Sequence, residues 1–457
     1  MIQFGTGGWR AVIGEGFTEE NVRKVASGIA KWLTEQGKKQ LVFVGYDRRK
    51  FSKEASEWIA DTLAQRGVTV FLSNTYISSP AAMLAVKDMY LDCGLMVTAS
   101  HNPPEYNGIK VFVEGGRDAP LEITHEIEKC VETGMEPNAK RKKIIPLQVL
   151  DAFRLFVQTK LHITGRTPLN IAFDVMYGSA KEPFVTLAEW YCNHVDVIND
   201  GVRPDERKGL PAPDKEYIPE LLNIMQSGEY DIGFAFDGDG DRIGIVDDKG
   251  EYIGPNEAMC ILYWYLHEIR GERGCVVKNL CTTERLRTMA EDFGEECYEV
   301  PVGFKWVSAK MNETNALIGG ESSGGMTFRN YIMGKDSTLT AMLFIEMLTN
   351  TGRTLSDIKR ELREKYEPSA FLTDNIRYDE SKKQDITDFL ETSLDALYDS
   401  VRNISYMDGV KISFNNGDFM TARFSGTEPL LRFMAEGHTE KDAQSYINIC
   451  KQAISNL

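Results

Sequence analysis

The chain has 457 residues, 42% of them apolar and 26% charged. Those proportions suit a soluble globular protein and exclude a disordered, collagen-like or disulfide-scaffold chain, and at about 150 residues per domain the length predicts three or four domains. Its 52 lysines and arginines against 68 aspartates and glutamates leave a net charge of −16, a field that repels long polyanions and argues against nucleic acid, yet tolerates a small anion wherever a few arginines gather.

In chain order, Val22, Val25, Ala26, Ile29, Ala30 and Leu33 recur at three and four, which predicts an amphipathic helix starting near Thr18. Leu41-Val42-Phe43-Val44, closed by Gly45, reads as a buried strand. A helix over 53–66, a strand over 68–72, a helix near 80–90 and a strand over 95–97 follow. The rhythm restarts with a strand at 170–173, a helix at 180–191 and a strand at 232–236. It starts a third time with an apolar helix over 257–269 and strands at 275–277 and 316–318. Such alternation predicts parallel sheet covered by helices. After about 370 the texture changes, with helices at 384–399 and 440–455 flanking short strands near 409–414 and 419–424. The expected fold class is α/β: three similar α/β domains with mixed or parallel sheets plus a smaller C-terminal α+β domain. The expected boundaries are 1–150, 151–254, 255–370 and 371–457, with 136–146 and 202–216 as exposed connections.

No stretch approaches 18 consecutive apolar residues, so no membrane-spanning helix is expected, and Met1-Ile2-Gln3-Phe4-Gly5 has none of the marks of a secretory signal. Eight cysteines without a C-x-x-C pair read as buried, reduced thiols, and the cytoplasm is the expected compartment. The six histidines show no zinc-site spacing.

Four segments carry chemistry. In Val97-Thr98-Ala99-Ser100-His101-Asn102-Pro103-Pro104 a strand ends in small polar residues, and the prolines forbid a helix directly after it. That sets Ser100 on an exposed loop at the carboxyl end of a strand, where open α/β sheets place ligands. A serine nucleophile needs an adjacent base or cation, and His101 and Lys110 are within reach.

In Asp237-Gly238-Asp239-Gly240-Asp241-Arg242 three acids alternate with glycines between two apolar runs. Gathering three carboxylates is costly unless a cation answers them, and glycines let the backbone curl so that all three converge on one hard ion such as Mg²⁺. An EF-hand is ruled out, because its sixth position here is Arg242 and its twelfth Asp248.

Gly320-Glu321-Ser322-Ser323-Gly324-Gly325 sets one acid and two hydroxyls on a flexible loop, oxygen ligands suited to a polyhydroxylated substrate. In Arg423-Phe424-Ser425-Gly426-Thr427-Glu428-Pro429-Leu430-Leu431-Arg432 two arginines bracket a turn whose hydroxyls and N–H groups can cradle an anion. Neither a Walker loop nor a full dinucleotide fingerprint occurs, and Gly5-Thr6-Gly7-Gly8-Trp9-Arg10 is a poor match to the latter.

Together and in this order, these segments resemble the α-D-phosphohexomutase superfamily over about residues 4–437. The resemblance implies four domains around a central cleft, each contributing one loop. It implies that Ser100 carries a phosphoryl group, with Mg²⁺ held by Asp237, Asp239, Asp241 and the serine ester. Ser100 donates the group to a sugar monophosphate, a hexose 1,6-bisphosphate turns around, and its other phosphate returns to Ser100. Arg10 and Arg242 match positions that steady the reacting phosphate, and Lys110 matches the basic position at the attacking hydroxyl; His101 joins them as a catalytic candidate. Glu321 and Ser323 match the sugar-binding positions; Arg423, Ser425, Gly426, Thr427 and Arg432 match the phosphate clamp.

Where the family's sugar loop often ends in His, this chain has Gly325; Arg329, Lys335 and Lys305 are the cations near enough in sequence to stand in. Val302-Gly303-Phe304-Lys305-Trp306 resembles the specificity segment of phosphoglucomutases, with Lys305 set to reach the substrate. The resemblance thus implies reversible conversion of glucose 1-phosphate to glucose 6-phosphate. The alternatives are a phosphomannomutase or dual-specificity enzyme and, in other classes, a metal-dependent sugar phosphatase or a non-catalytic sugar-phosphate sensor. The implied partners are small sugar phosphates, without nucleic acid or membrane; the sequence leaves the oligomeric state open.

Overall fold

The structure is a computed structural model that describes residues 2–5, 7–137, 140–201, 209–366, 370–425 and 429–457. Its described residues divide into two compact units, one comprising 1–262 with 323–357 and the other 263–322 with 358–457.

The first unit contains two sheets. In the N-terminal one the strands lie in the order Trp9–Val12, Tyr106–Val113, Cys93–Val97, Leu41–Tyr46, Thr69–Ser73, Ile144–Leu147. The last four run parallel, whereas Tyr106–Val113 is antiparallel to both Cys93–Val97 and Trp9–Val12. The helix predicted from Thr18 spans Glu19–Glu35, with the Thr18 hydroxyl capping Asn21 N–H, and it buries Val22, Val25, Ala26, Ile29 and Leu33. Helices Ser52–Gln65 and Ser79–Asp88 complete the predicted alternation.

The second sheet has the order Tyr252–Ile253, Ile243–Val246, Ile232–Phe236, Asn170–Asp174, His194–Ile198. Its core is aromatic, with Phe184 packed edge-on against Phe173, Phe234 and Phe236 at centroid distances of 4.7, 5.6 and 5.1 Å. Here Ile232–Phe236 is parallel to Asn170–Asp174 but antiparallel to Ile243–Val246.

The sheets are therefore mixed, one of the two arrangements expected, and the antiparallel pairing enters at two places that matter. The connections 98–105 and 237–242 are too short for a helical crossover, so the chain must turn straight back. Each of the two segments richest in chemistry is the turn of an antiparallel pair, at the carboxyl end of a strand that is otherwise part of a parallel sheet.

In the second unit, Cys297–Val300, Val276–Asn279 and Ile318–Gly320 are parallel strands. A separate five-stranded antiparallel sheet runs in the order Ala370–Arg377, Leu430–Gly437, Phe419–Phe424, Val410–Phe414, Val401–Ser405. Helix Glu440–Ser455 starts with a capping box between Thr439 and Asp442 and buries Ala443, Ile447, Cys450 and Ile454 on that sheet.

The fold is thus three α/β domains and a C-terminal domain of different type. Several expectations shift in detail. The helix predicted over 384–399 ends at Thr392, and the end of the connection expected over 136–146 opens an edge strand, Ile144–Leu147. The strand predicted at 316–318 begins two residues later. The apolar helix from 257 continues from Pro255–Trp264 into a π-helical turn at Tyr265–Ile269.

Candidate active site

In the first unit, Ser100 lies directly after strand Cys93–Val97. It is only 2% exposed, which corrects the expected exposed loop. Arg49 is the reason. Its Nη1 donates to the carbonyls of Pro103 (2.8 Å) and Tyr106 (3.0 Å), and its Nη2 donates to those of Ser100 (2.7 Å) and Asn102. Arg49 is in turn held by the buried Asp47, which also accepts its backbone N–H at 2.9 Å. One planar guanidinium thus draws the loop inward through its own backbone, and Ser100 sits in the left-handed region at φ +51°.

The Ser100 hydroxyl donates to Asp237 Oδ2 at 2.8 Å, and His101 Nδ1 lies 3.3 Å from it. Burial, then the charges of Arg242 and Arg10, lower the His101 pKa to about 2. Both effects favour the neutral imidazole.

The carboxylates of Asp237, Asp239 and Asp241 converge, with one oxygen from each lying within 4.8 Å of the others. All three are buried. Burial, then repulsion from Asp241 and Asp239, pushes the Asp237 carboxyl well above its ordinary value. Burial would also raise Asp241, but Lys110, Lys335 and Arg242 pull it well below. Lys110, on strand Tyr106–Val113, donates from Nζ to Asp239 Oδ2 at 2.6 Å and Asp241 Oδ2 at 2.7 Å. Burial works to lower the pKa of this ammonium; Asp239 and Asp241 overcome it and hold the proton on.

The residues fit a hard divalent cation. Oδ1 of both Asp239 and Asp241 is buried with no hydrogen-bond partner, the donors are all oxygen, and three carboxyl groups stand together.

Arg10 and Arg242 belong to the same neighbourhood. Burial lowers the Arg10 pKa, opposed chiefly by the charge of Asp239, and Arg242 Nε lies 3.9 Å from Asp241 Oδ1. Lys335, one of the three cations named as stand-ins at Gly325, also reaches the loop, with Nζ 3.2 Å from Asp241 Oδ2. A Cβ on residue 325 would fall 1.9 Å from the Lys335 Cδ, so the glycine leaves the space through which the lysine stem passes. Ser323 is exposed in this unit.

In the second unit, Glu321 is buried and accepts from Asn279 Nδ2 at 3.0 Å and Gly303 N–H at 2.9 Å. Lys305 is half-buried and lies 5.0 Å over the ring of the exposed Trp306. Arg423 and Arg432 stand directly opposite each other on paired strands. Like charges so placed repel, and an anion between them removes the cost. Ser425 N–H donates to Leu430 O at 2.8 Å. Gly426 and Thr427 lie outside the described residues.

Three residues of this neighbourhood lie outside the four segments: Arg49, Asp47 and Ser79, whose hydroxyl donates to Asp239 Oδ2. The signal was available for two of them: Asp47 and Arg49 follow the buried strand Leu41–Tyr46, at the carboxyl end of a parallel strand, where open α/β sheets bind ligands.

Comparison with known proteins identifies the family of the chain. The four domain models of the phosphoglucomutase/phosphomannomutase family match residues 1–138 (α/β/α domain I), 152–250 (domain II), 254–366 (domain III) and 375–448 (C-terminal domain). A phosphoglucosamine mutase of Thermotoga sp. (strain RQ2) is 30% identical over 462 residues, covering 98% of this chain and 98% of that protein. A phosphoglucomutase/phosphomannomutase of Thermococcus kodakarensis is 28% identical over 457 residues, covering 98% and 97%. The crystal structure of a phosphoglucomutase/phosphomannomutase family protein from Burkholderia thailandensis superimposes with a TM-score of 0.86 at 23% identity, over 100% of this chain and 98% of that one, and so shares the fold. The chain belongs to the phosphoglucomutase/phosphomannomutase family of the α-D-phosphohexomutase superfamily.

Proposed function

We propose that this protein moves a phosphoryl group reversibly between the 1- and 6-positions of a hexose phosphate, through a phosphorylated Ser100 and a hexose 1,6-bisphosphate. The observation that carries the reading is the buried Ser100 hydroxyl on Asp237, with Asp239, Asp241 and Lys110 gathered beside it.

In the forward step a sugar hydroxyl attacks the phosphorus of phosphoserine, the bond to Ser100 Oγ breaks, and the hydroxyl proton leaves to a base. The second half repeats this in reverse with the other phosphate. Asp237, Asp239, Asp241 and the serine ester would hold Mg²⁺, which when bound neutralises charge on the transferring group. Lys110 is poised as an ammonium that can give its proton to the departing serine oxygen. It serves as a base only when the pull of Asp239 and Asp241 on that proton is relieved. His101 fixes the direction of Oγ. Arg10 and Arg242 steady the reacting phosphate, while Arg423, Arg432 and the turn from Ser425 through Gly426 and Thr427 bind the other one. Glu321 and Ser323 bind sugar hydroxyls, and Lys305 reaches the substrate.

Glucose phosphate is the proposed substrate, on the strength of Val302-Gly303-Phe304-Lys305-Trp306. A second reading, glucosamine phosphate, is favoured by the names of several relatives at up to 30% identity. Comparison of kcat/KM on glucose 1-phosphate, mannose 1-phosphate and glucosamine 6-phosphate tests the choice: a preference for the first supports it, and a preference for the last replaces it. Release of free phosphate without isomerised sugar would instead make the protein a phosphatase. The ligands of this reading are small sugar phosphates, without nucleic acid. No helix among the described residues is long and apolar enough to cross a membrane. Seven of the eight cysteines are buried, which supports a reducing, cytoplasmic setting.

A further inference from the structure

Asp408 sits in the turn before strand Val410–Phe414, and no step above uses it. Its Oδ2 accepts two hydrogen bonds at once, from Arg423 Nε at 2.8 Å and from the backbone N–H of Val302 at 3.0 Å. The first partner is the arginine of the phosphate clamp, and the second opens the specificity segment. The next N–H along that segment, at Gly303, is held by Glu321 at 2.9 Å. Two carboxylates, one from the C-terminal domain and one from the sugar loop, therefore grip consecutive peptide groups.

The turn is shaped for this contact. Gly409 has φ +72°, and a Cβ there would fall 2.4 Å from Ala422 O and 3.0 Å from Arg423 Cα, so glycine lets the turn lie flat on the arginine's strand. Asp408 and Arg423 keep 24% and 26% side-chain exposure, which leaves the pair open to a ligand. A bond to Nε fixes the plane of the guanidinium and leaves both Nη groups for the two-pronged recognition of phosphate.

Resting on the mutase reading above, we infer that Asp408 is a positioning residue: it aims Arg423 at the distal phosphate and ties that aim to the placement of Val302-Gly303-Phe304-Lys305. The residue that orients the phosphate clamp thereby also sets which sugar fits.

The test is steady-state kinetics of the unmutated protein, Asp408→Ala and Asp408→Asn on glucose 1-phosphate, mannose 1-phosphate and glucosamine 6-phosphate, with thermal midpoints for each. Loss of a hydrogen bond to a charged group should raise KM about tenfold in Asp408→Ala, with kcat changed less than about threefold. The ratio of kcat/KM between sugars should shrink in the same variant. Asp408→Asn keeps an oxygen that can accept both N–H groups, so it should restore both KM and the ratio. If KM and sugar preference are unchanged in Asp408→Ala, or if Asp408→Asn behaves like it, the proposal is overturned. Should Asp408→Ala not fold, Asp408→Glu takes its place: one added methylene displaces the carboxylate, and an unaltered KM there overturns the idea as well. Absence of turnover in the unmutated protein counts against the mutase reading alone. Asp408 is then judged by titrating inorganic phosphate in a calorimeter, where unchanged affinity in Asp408→Ala overturns its role and about tenfold weaker binding supports it.

Discussion

Arg49 Nη2 donates to the carbonyl of Ser100 at 2.7 Å, and Ser100 stands at φ +51°. A non-glycine residue in that region costs about 1 kcal/mol and persists only where its surroundings enforce it. Four carbonyls on one guanidinium supply that enforcement and set the direction of Oγ. Lysine at this position keeps the charge but loses the planar fork. Arg49→Lys should therefore lower kcat by about 10–100-fold with a smaller change in KM, because a displaced nucleophile damages the reaction more than binding. Kinetics on a sugar phosphate, with a thermal melt to show folding, checks this; a kcat near that of the unmutated protein contradicts it.

The metal loop gives a second prediction. Asp239 Oδ1 is buried and without a partner, while Oδ2 accepts from Lys110 and Ser79. Asp239→Asn keeps the size and removes one charge, so Mg²⁺ binding measured by calorimetry should weaken and turnover should fall by roughly 10²-fold or more, with the fold retained. Undiminished Mg²⁺ affinity would remove this aspartate from the ligand set.

The third concerns stability in the second unit. Lys278 and Lys411, both buried, each donate to Glu284 Oε1 and Glu299 Oε2, at 2.8 and 2.8 Å for the first and 2.5 and 2.5 Å for the second. Burial favours the neutral form of Glu284, but the two ammonium groups win and hold its carboxyl far below the ordinary 4.5. A carboxyl depressed on folding stabilises fully above its unfolded value, and that contribution fades as pH falls below it. Glu284→Gln leaves two buried cations on one acid, and should cost about 3–5 kcal/mol at neutral pH. The gap in thermal midpoint between the two proteins should narrow as pH drops from about 5 toward 3, because the unfolded chain then takes up a proton on Glu284 that the folded protein still refuses. A gap that stays constant across that window contradicts the assignment.

Much of this molecule was legible in its sequence. The helix from Thr18 and the strands at 41–46 and 232–236 announced themselves because each carries a clean period or a buried run. The Ser100 and Asp237 segments were legible because glycine, proline and clustered charge leave few conformations open. What stayed hidden depends on tertiary pairing. Strand Tyr106–Val113 reads as a continuation of a loop until Cys93–Val97 is there to pair with it. Ser100 looked exposed because the residue that buries it, Arg49, lies 51 positions earlier. The passage of Lys335 through the space beside Gly325 is likewise invisible without coordinates, since nothing in either residue type predicts that the two meet.

Phosphate on Ser100 is the most direct measurement. Purified protein incubated with hexose 1,6-bisphosphate and digested for peptide mass spectrometry should carry one phosphate on the peptide containing Ser100. That phosphate should pass to added sugar monophosphate, and Ser100→Ala should show neither the label nor turnover, a loss of roughly 10⁴-fold or more. Turnover of the sugar phosphate with Ser100 unmodified throughout, or with activity retained in Ser100→Ala, would contradict the phosphoserine mechanism.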